Sequence, residues 1–143
     1  MVRINLIQPK ELTDQHLIAE YNEILMLVGY VRKYPKIQYS EIPANYKLGK
    51  GHMKFFKNKL LYLQKRHDKI SLEMLERGFK PKIKLNLDKE FEKEYLNNYQ
   101  PKEKDYKIIR QRIKERLQLK PNFYTYYKKP IKLVKKFKKL MKG

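Results

Sequence analysis

Apolar residues recur every three to four positions along three stretches of this chain, and each stretch ends on a residue that stops a helix. Leu17, Tyr21, Ile24, Leu25, Val28 and Val31 keep helical spacing after the start signal Thr13-Asp14, and Pro35 forces a stop, which predicts a first helix over residues 14–33. After the Gly49-Lys50-Gly51 turn, Phe55, Phe56, Leu60, Leu63, His67, Ile70 and Met74 follow the same period up to Gly78, predicting one long central helix. Ile108, Ile109, Ile113 and Leu117 predict a third helix over 104–119 with these four side chains inward. Arg110, Arg112, Lys114 and Arg116 are then spread over the rest of its surface, and Pro121 ends it.

Residues 80–101 have weak periodicity and are expected to form a surface connector in which Asp88, Glu90, Glu92 and Glu94 are solvated. Residues 123–127 are dense in rings. From Lys128 to Gly143 the chain carries eight lysines and no acid, with Ile131, Val134, Phe137 and Met141 near helical spacing, which predicts a basic amphipathic helix. There is no internal repeat and no strong strand alternation. The expected fold is all-α, a single compact domain of three main helices with long irregular connectors and a basic C-terminal helix; 143 residues suffice for one hydrophobic core.

Charge changes the picture most. Lys and Arg number 35 against 15 acids, and a net charge of +20 points to a polyanionic partner, with nucleic acid the leading candidate. An A/T-rich genome would also inflate lysine, but arginine is plentiful too. For the tail alone, a membrane-surface helix competes. The absence of cysteine rules out a disulfide framework and a thiolate metal site. With no secretory segment at the start, the protein is expected inside the cell. No apolar run approaches the roughly 20 residues that span a membrane, so no membrane partner is expected.

The candidate chemistries narrow quickly. His16, His52 and His67 form no i, i+4 pair and no aspartate pair has ligand spacing, so no metal and no cofactor are expected. Gly49-Lys50-Gly51-His52 lacks the spacing of a nucleotide-binding loop and reads better as a helix-starting turn. Ser40 and Ser71 sit in no nucleophile elbow. One edge of the first helix carries His16, Glu20, Glu23 and Leu27, and this edge, with an imidazole and two carboxylates, is the first place to look for chemistry. Amine chemistry remains. An α-amine with a pKa near 7.8 is neutral roughly 400 times more often than a lysine near 10.4, which makes the amino terminus the best unperturbed nucleophile present. Surrounding positive charge would lower that pKa further if the chain start lies in a basic cleft.

The opening residues Arg3-Ile4-Asn5-Leu6, with Asp14-Gln15-His16-Leu17, Ala19-Glu20-Tyr21 and Glu23, resemble the pyrimidine-dimer DNA glycosylase family, known as endonuclease V of T-even phages. The likeness continues at Arg32-Lys33, Leu48-Gly49, Gly51-His52, Phe55-Phe56, Lys59-Leu60, Leu63, Lys65-Arg66 and Arg77-Gly78-Phe79. It returns at residues 121–127, where the family has a Trp-Tyr-Lys-Tyr-Tyr run, and is weak over 80–105.

This resemblance implies a compact helical fold, removal of Met1, and attack by the α-amine of Val2 on the sugar carbon of the damaged nucleotide, giving a covalent imine. Glu23 matches the family's catalytic carboxylate, which stabilises developing positive charge on the sugar and handles protons in the following β-elimination. Arg3, Gln15 and His16 fall on positions that line the DNA cleft, with a capping or packing role for His16 as the competing reading. Arg32 and Lys33 belong to a matching basic block. Arg112 and Arg116 fall where the family's last helix is basic, and Tyr124, Tyr126 and Tyr127 follow its aromatic run, partly as DNA contacts and partly as core.

The resemblance implies as substrate double-stranded DNA with cyclobutane pyrimidine dimers or abasic sites, and action as a monomer. Val2 replaces the usual Thr, and Asn22 and Met26 stand where arginines commonly flank the glutamate, which makes abasic-site lyase action, or action on other lesions, a rival to dimer recognition. A non-catalytic DNA-binding protein is the rival outside enzymes. Residues 1–128 are expected to form the repair domain. Residues 129–143 form a basic tail without counterpart in the family pattern, whose lysines, with Lys128 and Lys129 at its start, suit DNA phosphates.

Overall fold

The computed structural model describes residues 3–142, and the fold is all-helical with one short hairpin. Helix α1 spans Asp14–Lys33. The Thr13 hydroxyl caps it by accepting the His16 N–H, and it stops at Tyr34, whose backbone the following proline keeps out of the helical region. Its buried stripe is Leu17, Tyr21, Ile24, Leu27, Val28 and Val31, and it packs against the central helix. Leu27 is thus core, whereas Leu25 is only partly buried.

The predicted long central helix is two helices, α2 (His52–Phe56) and α3 (Leu60–Glu76). The break falls at Lys57-Asn58-Lys59. There the Asn58 carbonyl accepts the Asn97 side-chain amide, and Lys59 pairs with Leu96, so a cross-chain contact replaces helix continuation. Gly78, at φ 86°, ends α3 in a Schellman motif: Phe79 N–H donates to the Met74 carbonyl at 2.8 Å, and Gly78 N–H to that of Leu75 at 3.0 Å.

Residues 80–101 are more than a surface connector. Leu85 and Leu87 are buried, Gln64 bonds both backbones, and the Tyr21 hydroxyl bonds both backbone groups of Ile83. Weak periodicity hid this because the segment is held by side chains of α1 and α3 while forming only the one-turn helix α4 (Leu87–Glu90) and a 3-10 turn at Lys93–Tyr95. The acidic run is exposed, with Glu90 paired to Arg32.

Helix α5 (Glu103–Leu119) buries Ile109, Ile113 and Leu117 at four-residue steps together with Asp105. Ile108, read as inward, lies off that stripe and is exposed. Beyond it, β1 (Thr125–Tyr126) and β2 (Lys129–Pro130) form an antiparallel hairpin, which the ring-dense sequence concealed. Tyr127 and Lys128 make its two-residue turn at φ 50° and 67°, the left-handed pair of a type I′ turn without its usual glycine. Because of this hairpin and Pro130, the tail helix α6 (Lys135–Lys142) starts later than the lysine run does. Ile131 and Phe137 anchor the tail in the core.

Candidate functional site

Residues 3–7 lead from the chain start into the core without joining a helix or strand, so their backbone groups need partners elsewhere. Side chains supply them. Arg3 N–H donates to the Glu23 carboxylate, and Ile4 N–H to His52 Nε2 at 2.8 Å. The Ile4 carbonyl accepts the Tyr46 hydroxyl at 2.8 Å, and Asn5 N–H donates to Glu20 Oε1 at 3.2 Å. Arg66 Nη1 donates to the carbonyls of Leu6 and Ile7. Leu6 sits at φ 61°, a conformation that a branched residue adopts only when its surroundings impose it.

Arg66 can do this because its other face is held by Glu20, with Nε to Oε2 at 2.6 Å and Nη2 to Oε1 at 3.0 Å, in an almost fully buried ion pair. The polar edge of α1 is therefore split. Glu20 is wholly buried and spent on this pair, and His16 is buried too, leaving Glu23 as the half-buried carboxylate of the edge.

Glu23 lies among cations. Burial pushes its carboxyl up to about 7, and neighbouring Glu20 adds to the rise, against the pull of the Arg3 charge and the Arg3 N–H. Arg3 has its own pKa lowered, first by burial and then by Arg112, with Arg116 adding, so two guanidiniums of α5 lie near Arg3. His16 is held down to about 4 by burial, Arg3 and Arg116, so it is neutral near pH 7. Its Nδ1 lies 2.7 Å from the Thr13 hydroxyl, and its ring stacks on Tyr124 at 4.9 Å and 3°. Arg3, His16, Glu23, Arg112, Arg116 and Tyr124 are thus brought together. A carboxyl that titrates near neutrality beside fixed cations can exchange protons with a polyanionic substrate held there.

The other expected site residues sit apart from this cluster. Gln15 bonds both the N–H (2.8 Å) and the hydroxyl (3.1 Å) of Thr125, tying α1 to the hairpin. Tyr126 and Tyr127 flank the buried Arg77 guanidinium, each ring 4.7 Å from it. Lys128 extends over the Phe79 ring, and Lys129 is exposed. Arg32 and Lys33 are at the far end of α1, nine and ten residues beyond Glu23, or about 14 Å along the axis. Asn22 and Met26, on either side of Glu23, are exposed. Val2 lies outside the described residues.

Sequence reasoning missed the residues that hold the site, namely Tyr46, His52, Arg66, Asp14 and Arg77. One signal was available. Arg66 falls beside His67 on the apolar stripe of α3, and Glu20 beside Tyr21 on that of α1, and a cation and an anion at core positions of two helices require each other. Among the described residues no group of His, Asp and Glu could hold a metal ion, and no helix is long and apolar enough to cross a membrane.

The fold and the cation-lined carboxylate define a helical protein built to act on a polyanion. A family model for pyrimidine dimer DNA glycosylase matches residues 1–87, which include Arg3, His16, Glu23 and every side chain that holds residues 3–7. The chain belongs to this family, whose substrate is DNA containing pyrimidine dimers. Arg112, Arg116 and Tyr124 complete the cluster from outside the matched segment.

Proposed function

We propose that the protein cleaves the 5′ glycosyl bond of cyclobutane pyrimidine dimers in double-stranded DNA and then nicks the abasic product, using the α-amine of Val2 after Met1 is removed. The amine nitrogen bonds to C1′ as the C1′–N1 bond to the pyrimidine breaks. The pyrimidine N1 takes up a proton as it leaves, and the amine gives a proton to the Glu23 carboxylate, which passes it to O4′ as the sugar ring opens to a protonated imine. Loss of a C2′ proton expels the 3′ phosphate by β-elimination. Glu23 as carboxylate stabilises positive charge developing on the sugar and takes up protons afterwards. Arg3, Arg112 and Arg116 hold phosphates, His16 and Tyr124 line the cleft, and Gln15 with Tyr126 and Tyr127 orders its edge. Arg32, Lys33, Lys128 and Lys129 extend the phosphate contacts over flanking duplex. Residues 1–128 carry the chemistry, residues 129–143 form a basic tail, and the protein acts as a monomer without metal.

The observation that carries this reading is the hydrogen bond from Arg3 N–H to the Glu23 carboxylate. The Cα of residue 2 is only about 3.8 Å along the chain from that of Arg3, so an amine on residue 2 belongs to the same neighbourhood as a carboxyl tuned to about 7. Exposed Asn22 and Met26 favour one narrower reading, in which abasic sites are cleaved and dimers are not, since neither carries a positive charge for a phosphate: Asn22 offers only neutral amide donors and Met26 none.

Borohydride trapping on duplexes with one dimer or one abasic site tests both. Adducts on both substrates, lost on N-terminal acetylation and cut by about 100-fold or more at the dimer in Glu23→Gln, are expected. Adducts on abasic DNA alone select the lyase, and no adduct with intact DNA binding leaves a non-catalytic binding protein.

A further inference from the structure

We infer that His52 is a positioning residue for the reaction, acting as the acceptor that fixes Ile4 and, through it, the chain start beside Glu23. The inference rests on the α-amine reading above for its catalytic consequence, though its structural content stands alone.

The ring's state follows from its partners. An amide can only donate, so the 2.8 Å contact from Ile4 N–H requires a lone pair on Nε2. The proton of the neutral ring must then sit on Nδ1, which faces the Lys47 carbonyl at 2.8 Å, an atom that can only accept. Both nitrogens are satisfied in one tautomer and in no other state; an imidazolium would set an N–H against the Ile4 N–H.

The ring cannot turn away, because Tyr46 and Phe56 meet it edge to face at 5.4 and 5.3 Å, and the Tyr46 hydroxyl binds the carbonyl of the same Ile4. Ile4 is therefore clamped at both backbone groups by two rings that touch each other. The charged groups facing the ring are Arg3 and Glu20. Burial and the Arg3 charge, against the Lys47 carbonyl and Glu20, hold the imidazole below its usual range, in keeping with a ring that stays neutral. Gly51 makes the placement possible. At φ 92° it starts α2 where a Cβ would press on Pro43 and Lys47, and it presents His52 one residue later.

Ile4 is two residues from the proposed nucleophile, and misplacement by about 1 Å can cost about 100-fold in rate. Gln at 52 places an oxygen as far from Cβ as Nε2 and can still accept from Ile4, whereas Leu cannot. His52→Leu is expected to slow single-turnover imine trapping at saturating abasic DNA by about 100-fold while leaving the DNA Kd within about twofold, and His52→Gln to recover most of that rate. A folded His52→Leu protein that traps at the wild-type rate would overturn the inference.

Ring 15N shifts and Ile4 amide exchange in the wild type give a readout independent of the imine and of the variants' folding. A protonated Nδ1, a bare Nε2 and a protected Ile4 amide are expected. A proton on Nε2, or a freely exchanging Ile4, would sink the clamp. If the wild type forms no imine, the α-amine reading falls, and these spectra still judge the clamp.

Discussion

Two buried guanidiniums, Arg66 and Arg77, each bind a carboxylate of α1 and grip backbone carbonyls of the N-terminal segment, yet they hold different things. Arg66 meets Glu20 in a closed pair and takes the carbonyls of Leu6 and Ile7. Arg77 meets Asp14 and takes those of Pro9 and Lys10, but its carboxylate also accepts the N–H groups of Tyr127 and Lys128 and the hydroxyl of Thr125. Burial alone would raise Asp14. The hydrogen bonds from Thr125, Lys128 and Arg77 outweigh it and hold the carboxyl below its usual range. Each pair thus sits beside left-handed, non-glycine backbone: Leu6 in one case, Tyr127 and Lys128 in the other. A buried ion pair is a poor source of net stability, because desolvation offsets most of its attraction. What these pairs supply is location, the first for the chain start and the second for the hairpin beside His16.

The comparison breaks most sharply at Arg66. Arg66→Met strands the Glu20 carboxylate in the core and is expected to cost about 3–5 kcal/mol in chemical denaturation. Asp14→Asn is expected to cost about 1–3 kcal/mol, because Arg77 keeps Glu73 at 2.8 Å while the turn loses only part of its clamp. The two should also separate in function. Adding Glu20→Leu to Arg66→Met should restore most of the lost stability but not imine trapping, since the carbonyls of Leu6 and Ile7 still lack a donor. Asp14→Asn should weaken DNA binding more than trapping per bound duplex. If the double variant traps at the wild-type rate, the Glu20–Arg66 pair does not position the chain start.

Glu23 sharpens the contrast between residues that hold the site and the one proposed to act in it. Its carboxyl titrates at about 7 in the folded protein against an ordinary value of 4.5. Below 4.5 the group is neutral in both states and imposes nothing. As pH rises from there through 7, the unfolded chain ionises first and folding stability falls. Glu23→Gln should therefore match the wild type at pH 4.5 and be more stable at pH 8, by about 1–2 kcal/mol after allowing for partial exposure. Denaturation at the two pH values checks this. Equal stability at pH 8 would mean that Glu23 ionises at no cost and is not tuned for proton transfer.

These regions differ in how far the sequence revealed them. Helix α1 and the stripe of Ile109, Ile113 and Leu117 were readable because an apolar face imposes a period on the chain. The hairpin was not, since its turn uses Tyr127 and Lys128 instead of Asn-Gly and is imposed by Asp14 more than a hundred residues earlier. Nor was the clamp on residues 3–7. Its donors and acceptors come from residues 20, 23, 46, 52 and 66, and no local pattern encodes which side chains meet an irregular segment. Glu23 was located by resemblance, while its shifted pKa comes from burial and neighbours that only the fold assembles.

The smallest expected effect on stability lies in the tail, the region with neither kind of pair. Lys132, Lys135 and Lys138 are exposed, while Phe137 between them packs beside the Tyr126 ring at 5.3 Å and fixes the start of α6 next to the Arg77 stack. Neutralising the three to Gln should leave stability within about 0.5 kcal/mol, because no packed atom changes. Their contribution would be to phosphates of duplex flanking the lesion, since α6 docks near Thr13, ten residues down α1 from Glu23, or about 15 Å along its axis. Every lysine that no longer neutralises a phosphate lowers the slope of log K against log[salt] by about 0.9. The triple variant should therefore bind a long duplex with a slope shallower by up to about 2.7, and bind a duplex too short to extend past the site as the wild type does. An unchanged slope on long DNA would remove the tail from the DNA interface. Anionic vesicles that bind the wild type but not the variant would then assign its lysines to a lipid surface.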